Sequence, residues 1–345
     1  NRNVSVRNNE FRWIGENPII SWGYTSDFDH ENRSVPIPKG QGPSATDGNH
    51  PQGTQIDSNF FHEIGHYQKQ VSCYFQAQTT TTNLTNNICF NGPRAGINFN
   101  DGMGGGNLLD SNLIFNMVRE TADHGSFNSW DRQPFLFINA KSKKATYVPE
   151  YNEIVGNFWI NNYNPQEATD NDDGSCYYNT HHNFFPFSVS GLKSDYGGHD
   201  NHHHHNLYIN GGKSEFVTTN CVSICGQKEG HEDSFFNNTC ILINGSNYAK
   251  FEENEYGTNI LPLMHDNSIF TSSGKATETG SVGQFNISTW QKKGHDLGTT
   301  VNTLPSNQEM IEMAKKVLGM DVDDELDNDE LDNDALDMSN QDDNK

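Results

Sequence analysis

The sequence predicts an all-β chain wound as a right-handed parallel β-helix of about nine to ten coils. Three observations carry this expectation. First, asparagine recurs in one local setting, at Asn9, Asn59, Asn87, Asn112, Asn157, Asn183, Asn206, Asn238 and Asn267. Three residues before it stands an apolar residue in most copies (Val6, Ile56, Leu84, Leu109, Ile154, Phe235, Met264), and two residues after it another (Phe11, Phe61, Ile114, Trp159, Phe185, Tyr208, Ile269). Second, the shortest spacings are 23, 25, 26, 28 and 29 residues, the period of a solenoid coil. Third, only 32% of the chain is hydrophobic while 45 of its 345 residues are Asn. A packed globule needs more apolar residues; a coil buries only a narrow internal stack.

Taken in chain order, residues 1–303 read as the solenoid. Short β-type runs alternate there with Gly, Asn and Asp turns. The ladder asparagines are expected to stack about 4.8 Å apart along the axis, with their side chains bonding to one another. An antiparallel meander is the alternative, but it would not keep one residue type in register so often. Two coils are oversized. One carries extra residues from Trp22 to Gly53, with Asp27, Asp29, His30 and His50, and the other from Asp123 to Pro149. A solenoid core cannot absorb such lengths, so they are expected to loop outward, where binding surfaces are built.

Residues 304–320 read as a short helix. Ser306-Asn307-Gln308-Glu309 has the form of a capping box, Ile311, Ala314, Val317 and Leu318 share one side, and Gly319 is a stop. Its expected place is a lid over the last coil. Residues 321–345 repeat Leu-Asp-Asn-Asp and read as a disordered acidic tail.

Charge and cysteine usage narrow the function classes. The net charge is −23, of which twelve acidic residues and one Lys from Asp321 onward supply −11. No basic run is present, which argues against nucleic acid and anionic membranes as partners. No stretch is long and apolar enough to span a bilayer. None of the six cysteines forms C-x-x-C, so a zinc ribbon is not expected. Cys89 and Cys240 fill the slot two places after the ladder asparagine and can be core residues, while Cys221 and Cys225 can pair with each other or with Cys240. Six N-x-S/T sequons (Asn3, Asn32, Asn83, Asn237, Asn244, Asn286) match what this composition gives by chance, so they do not bear on secretion. The chain opens inside a repeat with no visible signal peptide, and residues preceding Asn1 are expected.

The ladder also serves as an origin for counting. Eleven places before a ladder asparagine stand Gln76, Asp101, Asp172 and Asp195, the aspartates all in Gly-flanked segments. A common phase would make them a column of carboxylates on one face. Carboxylates on adjacent coils would lie about 5 Å apart, a separation that suits glycoside hydrolysis. Ordinary Asp-Gly turns are the structural alternative. Asp170-Asn171-Asp172-Asp173-Gly174 resembles the front of an EF-hand loop but has His181 where the bidentate Glu belongs, so an EF-hand is not expected. A Ca²⁺ on Asp170, Asp172 and Asp173 stays open. His181, His204 and His265 stand two places before ladder asparagines, and an imidazole stack is expected of the first two. A transition-metal site is the weaker reading. His199 and Asp200 follow Gly197-Gly198 and are placed near the carboxylate face. In the long insertion, Trp130 beside Asp131 and Arg132 suits sugar recognition, though Asp131-Arg132 can equally be an internal ion pair.

Several segments together carry a resemblance. Gly92-Pro93-Arg94-Ala95-Gly96-Ile97-Asn98-Phe99-Asn100-Asp101-Gly102 with Gly104-Gly105-Gly106-Asn107, Asp123-His124-Gly125 with Asn128-Ser129-Trp130-Asp131-Arg132, Asp172-Asp173-Gly174-Ser175 and Gly191-Leu192-Lys193 resemble right-handed β-helix proteins of the pectin-lyase-like superfamily. The resemblance covers residues 50–210 well and the remainder only as coils. It implies an extracellular or cell-surface carbohydrate-active fold, a group that includes lyases, epimerases and hydrolases using paired carboxylates. Fold follows from such a likeness far more directly than reaction. The reading is a secreted glycoside hydrolase acting on a polysaccharide, with Asp172 and either Asp131 or Asp195 as the carboxylate pair. Asp101, His124, Trp130, Arg132, Lys193 and His199 are the substrate-binding candidates. No cofactor is required, with Ca²⁺ possible. A polysaccharide lyase or epimerase, with Lys193, Arg132 or His199 acting on a uronate, is the second reading, although a pectate-lyase arrangement of catalytic Arg and Ca²⁺ site is not recognisable. A non-catalytic glycan-binding solenoid is the third. Oligomeric state does not follow from the sequence.

Overall fold

The computed structural model describes residues 2–23, 51–77, 79–100, 105–121, 124–130, 151–163, 165–194, 198–212, 219–227, 229–252, 260–280 and 283–320. The chain is a parallel β-solenoid with three long sheets, two of ten strands and one of nine. Each coil lays one strand in each sheet; the first coil gives Ser5–Arg7, Glu10–Ile14 and Ile19–Trp22. Nine coils are complete in this sense, and Thr300–Thr303 adds a tenth strand to the second sheet.

The asparagine ladder lies at the bend from the first sheet to the second. The residue before each ladder asparagine takes the left-handed conformation, at Asn8, Ser58, Asn86, Ser111, Gly156, His182, His205, Asn237 and Asp266. Such a bend turns backbone groups away from the sheet ladders, and the carboxamide side chain satisfies them. Each Oδ1 accepts from the backbone N–H and the amide of the asparagine one coil earlier, as for Asn112 on Asn157 (2.9 and 2.8 Å) and Asn157 on Asn183 (3.0 and 2.9 Å). The same amide donates to the carbonyl of the earlier coil's slot residue: Asn87 to Ile56, Asn112 to Leu84, Asn157 to Leu109. Thr299 ends the ladder by accepting from the Asn267 N–H.

Both slots flanking the asparagine face inward. Val6, Ile56, Leu84, Leu109 and Ile154 align across the first sheet, and Phe11, Phe61, Cys89, Ile114 and Trp159 across the second. With Ile97, Phe99, Phe127, Leu192, Val222 and Ile224 of the third sheet, they form one continuous core. Two slot positions are polar yet fully buried, Thr180 and His203. Burial pushes the His203 imidazole down to about 3, so it sits in the core uncharged.

The cysteines resolve as two interior cross-links and two thiols. Cys89, which its slot suggests is a plain core residue, is bonded to Cys73, and Cys221 is bonded to Cys240. Cys176 and Cys225 are buried thiols. Each disulfide joins the inward slot of the second sheet to the entry of a third-sheet strand one coil earlier, a pairing fixed by how coils stack.

Helix α1 (Ile287–Gln291), which the sequence reading did not anticipate, is capped by Asn286 and buries Ile287 and Trp290 in the core. Helix α2 (Asn307–Val317) has the expected capping box of Ser306 and Glu309, and Gly319 adopts a left-handed turn after it. It packs on the side of the solenoid, where the expected lid would have crossed the last coil. Met310, Met313, Ala314, Val317 and Leu318 contact the outward apolar residues Phe184, Leu207, Ile209 and Ile241 of the second sheet, while Ile311 is half exposed. The physical reason is that the second sheet is apolar on its outer face as well, and α2 covers part of it. Among the described residues no helix is long and apolar enough to cross a membrane. Residues 321–345 lie outside the described residues.

Candidate functional site

The third sheet carries the polar cluster. Its strands Ile97–Asn100, Phe127–Trp130, Glu167–Asp172 and Ser190–Ser194 pair in parallel. The register aligns Asn98, Asn128, Asp170 and Lys193, and one step outward along the strands Asn100, Trp130 and Asp172. Since Phe99 and Phe127 face the core, strand alternation puts both rows on the outer face. Even so, Asn98, Asn128 and Asp170 are buried, Asp170 to 0% exposure.

A buried carboxylate needs compensation. Asp170 receives it from three sides. Lys193 Nζ lies 3.2 Å from its Oδ1, the Asn128 amide donates to its Oδ2 at 2.9 Å, and His124 Nδ1 lies 3.5 Å from that same Oδ2. Lys193 also donates to Asp172 Oδ1 at 2.9 Å, so one ammonium joins a fully buried carboxylate to a partly exposed one. At the other end Arg94 bonds Asn98 Oδ1 (3.0 Å) and His124 Nε2 (2.8 Å). The guanidinium has only hydrogens to offer, so His124 Nε2 accepts and its Nδ1 carries the proton facing Asp170. A Ca²⁺ on Asp170, Asp172 and Asp173 fits poorly here. Calcium seeks six to eight oxygens, and the Lys193 ammonium already lies between the first two carboxylates.

The sequence candidates are therefore partly brought together. Asp172, Asp170, Lys193, His124 and Trp130 share this face. Asp101, Asp131, Asp195 and Arg132 lie outside the described residues. Arg94, Asn98 and Asn128 are the members that sequence reasoning missed, although the parallel triplets Asn98-Phe99-Asn100, Asn128-Ser129-Trp130 and Asp170-Asn171-Asp172 carried the register. Counting back from the ladder asparagine misplaces that register. Gln76 aligns with Phe99, and through it with Ser129 and Asn171, one residue short of Asp172. Asn100, the residue before Asp101, is the one aligned with Trp130 and Asp172. The turn between the third and first sheets varies in length, so the count drifts by a residue and flips the face.

His199 belongs to a different group. It is 1% exposed, and its Nδ1 bonds Asp200 Oδ2 at 2.7 Å. Burial works to raise the Asp200 carboxyl, but hydrogen bonds from His199 and His231 outweigh it and hold the group below its ordinary range. The expected imidazole stack is present: His181 on His204 at 4.9 Å, continued by Phe236 and His265, with His182 on His205 beside it at 5.0 Å. Partial burial, then the neighbouring imidazoles, push His204 down to about 4. His204 is therefore uncharged at neutral pH, and the stack reads as structural.

The fold and this face define a three-sheet parallel β-solenoid with a buried ion-pair cluster on its third sheet. Comparison with protein families, with curated proteins and with solved structures finds no match.

Proposed function

We propose that the chain is an extracellular carbohydrate-active protein of the pectin-lyase-like kind, a glycoside hydrolase that binds a polysaccharide along its third sheet. The observation that carries the reading is the Asp170–Lys193–Asp172 bridge beside Trp130. Asp172 retains 22% side-chain exposure while Asp170 has none, so Asp172 is the carboxylate a glycan could reach. Its partner in acid–base work would be Asp131 or Asp195, which follow Trp130 and Ser194 in the sequence. Trp130, aligned with Asp172 across the strands, would stack its indole on a sugar ring. Lys193, His124, Asp101 and Arg132 would orient hydroxyls or a carboxylate, whereas His199, buried in a different group, is withdrawn from that role. Two disulfides are consistent with an oxidising, extracellular setting.

The Arg94–His124 pair next to Lys193 favours a second reading, elimination or epimerisation on a uronate, because such chemistry needs cationic groups at the sugar carboxylate. The test is a panel of neutral and uronate polysaccharides assayed for reducing ends and for the absorbance of unsaturated products. Hydrolysis predicts reducing ends without that absorbance, and a loss of at least roughly 100-fold in turnover for Asp172→Asn with binding retained. Unsaturated products would move the assignment to elimination. Binding without turnover on any polymer would overturn the enzymatic reading in favour of a glycan-binding solenoid.

A further inference from the structure

Away from the third-sheet cluster, His199, Asp200 and His231 occupy the turns that lead from the third sheet back to the first in two successive coils. Both imidazoles aim Nδ1 at the same oxygen, Oδ2 of Asp200, at 2.7 Å from His199 and 2.9 Å from His231. The three atoms lie within 4.8 Å of one another. The surroundings hold them there. Asp200 sits in the left-handed region at φ 55°, with its backbone N–H donated to the His231 carbonyl at 3.1 Å. Tyr177 packs its edge on the His199 ring at 5.4 Å. His199 is buried and its Nε2 has no hydrogen-bond partner, whereas the Asp200 and His231 side chains are 22% and 44% exposed. A ligand between them would be anchored on the interior side and open to solvent on the other.

We propose that His199, Asp200 and His231 form a binding site for a transition-metal dication of the zinc class. Two imidazole nitrogens and one carboxylate oxygen suit Zn²⁺, Co²⁺ or Ni²⁺, while Ca²⁺ and Mg²⁺ prefer oxygen throughout. Three protein ligands leave a fourth position for water. An ionised carboxylate only accepts, so without metal both Nδ1 atoms carry the hydrogens they donate to Asp200. Binding needs both Nδ1 lone pairs. Each of those protons moves to the ring's Nε2 or leaves to solvent, and the metal replaces the two N–H···O bonds with coordinate bonds. The site would tie together two coils whose ligands stand 31 residues apart.

A rival location exists on another turn. His181 with His182, and His204 with His205, place their Nδ1 atoms 2.8 Å apart within each pair, but the neighbouring carboxylate, Glu153, meets His181 at Nε2 (3.2 Å), away from these Nδ1 atoms. The experiment is titration of the full chain with Zn²⁺ by calorimetry, paired with the visible d–d absorption of bound Co²⁺. Wild type is expected to bind one tight equivalent and to show a tetrahedral Co²⁺ spectrum. Asp200→Asn and the exposed-site variant His231→Gln should each weaken Zn²⁺ at least about tenfold and abolish the spectrum, with circular dichroism unchanged. His182→Gln/His205→Gln should leave both intact. Binding lost in that double variant but kept in Asp200→Asn and His231→Gln would overturn the proposal, as would the lack of any tight equivalent in wild type. No step of the test depends on glycan turnover.

Discussion

Substituting an interior member of the asparagine ladder should cost far more than substituting an exposed one. Asn183 is fully buried. Its amide donates to the carbonyls of Ile154 (2.7 Å) and His181 (2.9 Å) and to Asn206 Oδ1 (3.1 Å), and its Oδ1 accepts from the Asn157 backbone N–H and amide (3.0 and 2.9 Å). Asn183→Ala removes all five bonds and leaves at least the Ile154 carbonyl and the Asn157 N–H deprived of these partners inside the protein. With each orphaned group worth about 1–3 kcal/mol, the loss is roughly 3–5 kcal/mol. That is a large share of the roughly 5–15 kcal/mol of an ordinary domain. Asn183→Asp should be at least as damaging, because it turns the donating amide into a second acceptor facing three acceptors. At Asn9 the side chain is exposed and donates to Arg7 O (2.8 Å) and Asn59 Oδ1 (3.1 Å), bonds that water can replace. Asn9→Ala should therefore cost only about 0.5–1 kcal/mol. Urea unfolding followed by circular dichroism and tryptophan fluorescence measures the difference. If the two alanine variants fell within 1 kcal/mol of each other, the ladder would be a by-product of coil geometry and its hydrogen bonds would not be holding the coils.

Three further outcomes are expected. Lys193→Met should destabilise the chain by roughly 3 kcal/mol, because it strips the ammonium from a fully buried Asp170, and adding Asp170→Asn should recover part of the loss in a double-mutant cycle. Stability should be pH-dependent through the histidines. His203 and His204 are depressed to about 3 and about 4 when folded, so the unfolded chain takes up protons first, and their contribution is complete above pH 6.5 and declines as pH falls toward those values. As pH falls from 7.5 to 4.5, the urea midpoint of His203→Leu should gain on that of the wild type, because the substitution removes one of these groups. Finally, the cross-linked cysteines are 16 and 19 residues apart, so Cys73→Ser/Cys89→Ser and Cys221→Ser/Cys240→Ser should each cost about 3 kcal/mol, whereas Cys225→Ser should shift the melting temperature by a much smaller amount.

The solenoid was legible in the sequence because its determinant is local. A ladder asparagine, its left-handed predecessor, the slot three before and the slot two after all lie within six residues, and every coil repeats them. That set the coil number, the inward residues of two sheets and the stack of His181 on His204. The capping box of α2 was legible on the same ground. What lies across coils was not. The third sheet is reached from the ladder only through turns of unequal length, so counting from Asn112 lands on Asp101, while the residue aligned with Asp172 is Asn100. Only packing decided that Lys193 would bridge Asp170 and Asp172, that Arg94 and His124 would close the cluster, and that Cys89 would bond Cys73. It also decided that α2 would lie along the second sheet. A repeated local bend specifies a fold one coil at a time, whereas a site built from four strands depends on their register, and that exists only once the coils are stacked.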